Sequence, residues 1–146
     1  ISAFPGMGKS YFVKNPEGLK VTDSDSSKFS WLSPGVRNPN FLEDYREHIE
    51  DCWGKYDIIM VSSHKNVREM LLDTGLDFIV VYPEKGLKEE FLERYRDREN
   101  TEEFVKLLDE NWENWIDEIE KDKRIESYAL GSGEYLSDFI QEVILA

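Results

Sequence analysis

Cysteine and histidine are almost absent from this chain, and their scarcity excludes several kinds of chemistry. Cys52 is the only cysteine, and His48 and His64 are the only histidines. One cysteine cannot form an internal disulfide, and these few side chains are not enough ligands for a typical zinc site. The sequence therefore argues against a disulfide-stabilised scaffold and against a zinc enzyme.

Long hydrophobic runs and positive charge are also scarce. No stretch approaches the length of a membrane span, and the first residues lack the basic-then-apolar order of a secretion signal. We therefore expect a cytoplasmic protein without a membrane partner. The net charge is −13, from 31 acidic and 18 basic residues. Because this charge repels nucleic acid, bulk nucleic-acid binding is disfavoured, whereas a nucleotide pocket depends on its local field.

The apolar content is sufficient for one hydrophobic core. Hydrophobic residues make up 40% of the chain and aromatic residues 13%, a fraction that disordered chains lack. The length of 146 residues suits one domain and is short for two. We therefore predict a single domain over residues 1–146. The sequence leaves the oligomeric state open, with a homodimer among the alternatives.

The most informative motif is Ala3-Phe4-Pro5-Gly6-Met7-Gly8-Lys9-Ser10, which has the pattern of a phosphate-binding loop. In such a loop, backbone N–H groups surround the β-phosphate, a lysine reaches the β and γ oxygens, and a hydroxyl holds Mg²⁺. Lys9 and Ser10 fill the last two roles, although Ala3 replaces the usual first glycine. The other predicted nucleotide contacts are Pro5, Gly6, Met7, Gly8 and Tyr11. The alternative is a glycine turn that binds nothing.

The residues around this motif predict a helix after it and a strand before it. The segment after Ser10 is expected to continue as a helix whose N-terminal dipole faces the phosphates, until Pro16 and Gly18 stop it. Only two residues precede Ala3, and the chain has no initiator methionine. We therefore expect that apolar residues of the first strand are missing from the numbered chain.

Strands and helices alternate along the rest of the chain. Continuous apolar runs at 56–61 and 78–82 are typical of buried parallel strands, and further strands are expected at 18–25 and 124–130. Apolar periodicity predicts helices over residues 41–53, 66–73, 87–100, 101–119 and 134–145. This alternation indicates an α/β fold, a three-layer sandwich with a mostly parallel five-stranded sheet flanked by helices.

The second predicted strand ends in two carboxylates, Asp23 and Asp25. After a strand and beside a phosphate loop, one carboxylate would hold Mg²⁺ through water and the other would orient or deprotonate an acceptor hydroxyl. We assign the metal to Ser10 and Asp23 and the acceptor to Asp25. Because Asp and Ser also favour turns and helix caps, a structural role is the alternative.

Arg94 and Arg98 are the candidate clamp for the transferred phosphoryl oxygens. Their four-residue spacing places both guanidinium groups on one helix face, whereas Arg96 points elsewhere. The alternative is a solvated helix with a weak pair between Glu90 and Arg94. The stripe on the next helix is predicted to pack in the core rather than to form a ligand cage. It consists of Phe104, Leu107, Leu108, Trp112, Trp115, Ile116 and Ile119.

Two residues after the third strand are further candidates. Arg68 would reach an acceptor phosphate or sugar, and its alternative is a surface ion pair with Glu69 or Asp73. His64 is expected to position its loop through a hydrogen bond rather than to act as a base.

Together these motifs resemble the P-loop kinases of small molecules, in particular nucleoside monophosphate kinases and shikimate-kinase-like proteins. The Pro5 to Lys9 core is similar to that of adenylate kinases, and Asp23-Ser24-Asp25 to the acidic pair of shikimate-type kinases. The whole chain also looks like small kinases of phages and prophages. The resemblance implies a P-loop NTPase fold, ATP and Mg²⁺ as cofactors, and a helical lid over residues 84–103 that carries Arg94 and Arg98.

The chain departs from that pattern at the acceptor side. The third strand ends in Val61-Ser62-Ser63 without an acidic residue, and no Asp-Gly-x-Pro-Arg run is present. In the acceptor-binding segment, about 26–55, and near it, we assign residues by position. Arg37 and Arg68 would bind the acceptor phosphate, and Phe29 and Trp31 would stack on a base.

The implied activity is ATP-dependent phosphoryl transfer to a small-molecule nucleotide, a nucleoside monophosphate, with a deoxynucleotide as the expected acceptor. Two alternatives stay open. One is a kinase of another small hydroxylated metabolite. The other is a non-catalytic nucleotide-binding regulator, which would account for Ala3 and for the missing acidic residue on the third strand.

Overall fold

Five parallel strands form the central sheet of the computed structural model, which describes residues 1–14, 16, 18–24, 29, 31–33 and 36–144, without the side chains of Ser10 and Trp31. The strands, in chain order, are β1 (Ser2–Ala3), β2 (Val21–Ser24), the hairpin pair β3 (Trp31–Ser33) and β4 (Val36–Arg37), β5 (Ile58–Ser62), β6 (Ile79–Pro83) and β7 (Glu126–Leu130). The order across the sheet is β2-β5-β1-β6-β7, and all its pairings are parallel. The predicted α/β fold with a five-stranded sheet is confirmed.

Helices connect the strands of the sheet. They are α1 (Lys9–Lys14), α2 (Phe41–Cys52), α3 (Lys65–Thr74), α4 (Lys88–Asp97), α5 (Glu102–Lys121) and α6 (Leu136–Phe139), with a 3₁₀ turn at Lys85–Leu87 and a π-helical turn at Ile140–Ile144. Helix α5 begins after Thr101, whose hydroxyl accepts a hydrogen bond from the Phe104 N–H at 3.2 Å, as expected of an N-cap. Among the helices that the structure describes, none has the length and apolar character needed to span a membrane.

The prediction missed one element and displaced several boundaries. The sequence predicted no strand between the second strand and α2, yet β3 and β4 pair in antiparallel fashion, with Trp31 opposite Arg37. Helix α4 ends at Asp97 instead of residue 100, because Glu99 takes a left-handed backbone conformation with φ of 58°. The last helix begins two residues later than predicted and continues as a π-helical turn after Phe139.

Two hydrophobic clusters pack against the sheet. The larger one contains Phe12 of α1 and the buried faces of α4, α5 and α6, and the smaller one contains Tyr45 and Ile49 of α2 with Val67 of α3. Helices therefore cover the sheet in two separate groups, an arrangement consistent with the predicted three layers.

The stripe on α5 packs in the core with one exception. The side chains of Leu108, Trp112, Ile116 and Ile119 are buried, as predicted, but that of Leu107 is 48% exposed. Leu107 is turned by about 100° from Leu108 around the helix axis, which places it beyond the edge of the buried stripe.

Trp112 joins α5 to both the sheet and the chain after β6. Its ring lies 5.4 Å from that of Phe4 in an edge-on contact and 5.6 Å from that of Phe91. Its indole N–H donates to the carbonyl of Lys85 at 2.8 Å. The side chain is thus fully buried and its one polar atom has a partner, which is what burial of a tryptophan requires.

The order of the strands produces a crevice at the carboxyl edge of the sheet. The chain leaves β1 towards the β2 edge and leaves β6 towards the β7 edge, although β1 and β6 are neighbours. Where two adjacent parallel strands send their connections in opposite directions, the loops diverge and a ligand crevice forms.

We predict that Trp112→Ala destabilises the fold by about 3–5 kcal/mol, because it removes a large buried ring and leaves a cavity. Leu107→Ala, on the same helix but exposed, is the control and should change the free energy of unfolding by less than about 0.5 kcal/mol. Urea unfolding followed by circular dichroism measures both. Equal effects of the two substitutions would contradict the packing described here.

Candidate functional site

A cavity of about 480 Å³ lies at the carboxyl edge of the sheet, which is within the size range of small-molecule sites. Its lining combines the residues that follow β1 and β5, Asp23 of β2, the end of α4 with the loop after it, and one face of α5. The lining includes Ala3, Phe4, Pro5, Gly6, Lys9, Asp23, Ser62, Ser63, His64, Lys65, Arg68, Tyr95, Arg98, Asn100, Phe104, Trp115, Glu118 and Ile119.

Larger hollows exist elsewhere on the surface. One of about 730 Å³ lies between α2 and α3, and another of about 870 Å³ includes Trp53 and Tyr56 beside the start of β5. Neither contains the loop after β1 or the end of β2. The smaller cavity is the better candidate because, of the three, it alone is lined by the loop after β1 and by Asp23 of β2, at the carboxyl edge of the sheet where ligands of such folds bind.

The chain between β1 and α1 makes a tight turn that two glycines permit. Gly6 has φ of +85° and Gly8 has φ of +88°, a backbone conformation that side chains with a Cβ rarely adopt. A Cβ on Gly6 would also lie 2.8 Å from Cε1 of Tyr95. At Gly6 both the backbone angle and the close approach of α4 therefore require glycine.

The carbonyl groups of this turn are held by the surrounding helices. The Tyr95 hydroxyl donates to the Pro5 carbonyl at 2.7 Å, and Nη1 of Arg94 donates to the Gly6 carbonyl at 2.6 Å. The backbone N–H of Leu136 donates to the Met7 carbonyl at 3.0 Å. Burial raises the pKa of the Tyr95 phenol, so its hydroxyl keeps the proton that it donates.

The amide groups of the same turn have no such partners. The N–H groups of Gly6, Met7, Gly8 and Lys9 meet no hydrogen-bond acceptor among the residues that the structure describes. Successive backbone N–H groups left without acceptors in a turn form a concave site for an anion. The Lys9 side chain lines the adjoining cavity and adds a positive charge there.

Asp23 lies next to this lysine. Its Oδ1 is 3.4 Å from Nζ of Lys9, and this buried oxygen has no hydrogen-bond partner among the described residues. Asp23 belongs to β2 and is paired with Met60 of β5, so the backbone of the sheet fixes its position. Asp25, the second predicted carboxylate, lies outside the described residues.

Tyr45 of α2 joins the ends of β2 and β5 beneath the cavity. Its hydroxyl donates to the Ser24 carbonyl and accepts a hydrogen bond from the Ser62 N–H at 3.2 Å. The Tyr45 side chain is completely buried. This double contact sets the spacing between the two strand ends that carry Asp23 and Ser62.

The structure separates the two arginines of the predicted clamp. Arg94 lies between the rings of Phe91 and Tyr135, with its Cζ 4.2 and 4.8 Å from their centroids, and is bound to the Gly6 carbonyl. Arg98 follows the end of α4 and lines the cavity. Arg94 therefore supports the turn from outside, whereas Arg98 faces the space where a ligand would lie.

Arg68 and His64 both line the cavity, as their position after β5 predicts. Arg68 is buried, and its Nε donates to the Ser63 carbonyl at 3.0 Å. Its Nη2 lies 3.5 Å from Oε2 of Glu118, so its ion-pair partner comes from α5 instead of from its own helix.

Phe29 and Arg37, which were assigned to base stacking and to the acceptor phosphate, lie elsewhere. Phe29 stacks on Tyr45, with ring centroids 5.4 Å apart, and also contacts His48. Arg37 is in β4 and is exposed, and the side chain of Trp31 is outside the described part of the chain. The structure brings neither Phe29 nor Arg37 to the lining of the cavity. Tyr11 is also exposed, on α1.

Sequence reasoning placed Arg94 and Arg98 at the site but missed Tyr95, Asn100 and the contribution of α5 to the cavity wall. Tyr95, Asn100, Phe104, Trp115 and Glu118 all line it. The signal was present in the spacing, since Trp115 and Glu118 are three residues apart and so neighbours on one helix face. That face borders the buried stripe of α5. A residue at this border can pack against the core on one side and contact a ligand on the other.

The donor set is compatible with Mg²⁺ bound together with a nucleotide. Among the described residues, no group of three or more His, Cys, Asp or Glu side chains is arranged to hold a metal ion. Mg²⁺ at phosphate sites, however, needs only one or two protein ligands, because water and phosphate oxygens supply the others. Oδ1 of Asp23, which lies beside Lys9 and has no hydrogen-bond partner among the described residues, fits that requirement.

We predict that Gly6→Ala destabilises the protein by at least about 1 kcal/mol more than Gly54→Ala, because only the former adds a clash with Tyr95 to the backbone cost. Gly54 is a matched control, since its φ is +84° and a Cβ there would meet nothing within 4 Å. Thermal unfolding of both variants measures the difference. Equal melting temperatures would show that α4 does not press on the turn.

The candidate site is thus the turn, whose amides meet no acceptor in the described part of the chain, with the ammonium group of Lys9, the carboxylate of Asp23 and the guanidinium group of Arg98 around one cavity. No protein-family model matches the chain, and none of the curated proteins matches it in sequence.

Proposed function

We propose that the protein is an Mg²⁺- and ATP-dependent kinase that transfers a phosphoryl group to a nucleoside monophosphate, with a deoxynucleotide as the expected acceptor. The observation that carries this proposal is the turn at Pro5–Gly8 with its amides unpartnered beside Lys9. A row of free N–H groups next to an ammonium group is suited to a polyphosphate and to few other ligands.

The outward-facing carbonyls support the same conclusion. A carbonyl oxygen pointing into the turn would repel phosphate oxygens, whereas those of Pro5, Gly6 and Met7 are bound by Tyr95, Arg94 and Leu136. The turn is therefore fixed in an anion-binding form before any ligand arrives. Such preorganisation is the main contribution that a protein makes to phosphoryl transfer.

The residues around the turn have the charges that this transfer needs. Lys9 would contact the β- and γ-phosphates, and Asp23 would hold Mg²⁺, directly or through water, once the nucleotide displaces the Lys9 contact. When bound, Mg²⁺ neutralises charge on the phosphate oxygens. Ser10 is expected to contribute to the same metal site, and Asp25 is expected to orient the acceptor oxygen.

Arg98 is the candidate for the group that contacts the transferred phosphoryl oxygens. It lines the cavity from the segment proposed as a lid, residues 84–103, whereas Arg94 is bound to the Gly6 carbonyl and acts through the turn. The segment is held on α5 by an ion pair between Lys88 and Asp109 at 2.6 Å and by a second pair between Lys85 and Asp117.

Lys9→Met should abolish stabilisation by ATP and Mg²⁺, because it removes the positive charge next to the turn while keeping the length of the side chain. Ligand binding to the native state raises stability by about 2.7 kcal/mol at a hundredfold excess over Kd, which a melting curve detects easily. Lys14→Met, on the same helix α1, is the matched control and should keep the full shift. An unchanged shift in Lys9→Met would refute the proposed site.

Arg98→Ala should lower kcat by at least about a hundredfold, because a charge that stabilises the transition state is lost. Arg96→Ala is the control, since Arg96 is exposed and lies 3.4 Å from Glu93 on the surface. A coupled assay with ATP and a panel of nucleoside monophosphates measures turnover. Wild-type protein that binds ATP but phosphorylates no acceptor in the panel or among small hydroxylated metabolites would favour the nucleotide-binding regulator.

A further inference from the structure

We propose that Trp115, Glu118 and Arg68 form the subsite for the base of the acceptor nucleotide, and that Glu118 selects bases that carry an amino group. This inference rests on the proposed function, because it assigns the second substrate of the same cavity. It moves the base from the segment around Phe29 to the face of α5 that borders the cavity.

Trp115 supplies an aromatic surface at the apolar side of the cavity. Its ring is half-buried and packs against the larger hydrophobic cluster, yet it also lines the cavity. Its neighbour Trp112 is fully buried instead. A tryptophan fixed on one side by the core and open on the other is suited to stacking with a planar ring.

Glu118 lies one turn further along the same face of α5, next to Trp115. Its carboxylate lines the cavity, and Oε2 lies 3.5 Å from Nη2 of Arg68. The Arg68 side chain is only 6% exposed, whereas that of Glu118 is 43% exposed. The Arg68 side chain is thus enclosed by the protein, whereas the Glu118 carboxylate is exposed enough to contact a ligand.

Arg68 is held from a second direction, which makes it a positioning residue. Its Nε donates to the Ser63 carbonyl at 3.0 Å, immediately after β5. The guanidinium group therefore connects the end of the sheet with Glu118 on α5. An ionised carboxylate can accept hydrogen bonds but cannot donate them.

An ionised carboxylate discriminates between bases by their donors. Adenine, cytosine and guanine each carry an exocyclic amino group, whereas thymine has none and carries carbonyl oxygens instead. A carboxylate accepts from the amino group but repels a carbonyl oxygen. Each well-placed contact to a base edge separates right from wrong bases by roughly five- to a hundredfold in affinity.

Phe29, one of the two aromatic residues predicted to stack on the base, stacks on other side chains of the protein instead. Phe29 lies parallel to Tyr45, with an interplanar angle of 11°, and contacts the ring of His48. It packs against the smaller hydrophobic cluster and does not line the cavity. Trp115 is therefore the better aromatic surface beside the proposed phosphate site.

Intrinsic fluorescence tests the position of the base directly. Wild-type protein with Mg²⁺ and a non-hydrolysable ATP analogue is titrated with dAMP, dCMP, dGMP and dTMP. We expect at least one of the amino-bearing nucleotides to quench tryptophan fluorescence, Trp115→Phe to lose most of that quenching, and Trp53→Phe to keep it. Trp53 is an exposed tryptophan outside this cavity. Quenching that survives in Trp115→Phe would overturn the proposal.

The selectivity is tested with Glu118→Gln, and Glu113→Gln on the same helix is the matched control. Calorimetry should show that the wild type binds its preferred amino-bearing nucleotide about tenfold or more tightly than dTMP. Because glutamine can also donate to a carbonyl oxygen, Glu118→Gln should lose most of this preference, while Glu113→Gln keeps it. An unchanged preference in Glu118→Gln, or tighter binding of dTMP by the wild type, would overturn the role of Glu118.

Two results separate this inference from the proposed kinase. If ATP and Mg²⁺ stabilise the wild type but no monophosphate binds or quenches, the base subsite is refuted and the phosphate site stands. If ATP and Mg²⁺ produce no stabilisation, both are refuted. Melting curves of each variant without ligand confirm that it is folded.

Discussion

The proposed site depends on how the carbonyls of one short turn are held. Three oxygens, those of Pro5, Gly6 and Met7, accept hydrogen bonds from the Tyr95 hydroxyl, the Arg94 guanidinium group and the Leu136 N–H. The amides of the same turn meet no hydrogen-bond acceptor among the residues that the structure describes. Helices α4 and α6, which are remote in sequence, therefore hold the turn that we propose as the anion-binding site.

The same helices connect the turn to the rest of the cavity. Arg94 and Tyr95 are adjacent in α4, so the element that supports the turn also carries Arg98 to the edge of the cavity. On the other side, Tyr45 fixes the ends of β2 and β5, which position Asp23 and Ser62. The local charge here differs from the overall −13 because Lys9, Lys65, Arg68 and Arg98 all line one cavity.

Much of the fold could be predicted from the sequence because local signals determine it. These signals are the apolar runs of β5 and β6 and the glycines and lysine of the first turn. Each can be recognised from adjacent residues in the sequence. The cavity wall was harder, because Trp115 and Glu118 face it only through the packing of α5. The role of Arg94 could not be predicted either, since its partner Gly6 is 88 positions away in the chain. The predictions for Asp25 and for the side chains of Ser10 and Trp31 stay predictions.

The most direct measurement of the central claim is an NMR titration of the backbone amides with ATP and Mg²⁺. If the turn binds the phosphates through its N–H groups, the resonances of Gly6, Met7, Gly8 and Lys9 should shift most, and those of Gly54 and Gly75 should stay in place. Gly54 and Gly75 also have positive φ but lie away from the cavity. Unchanged resonances in the turn at saturating nucleotide would contradict the account.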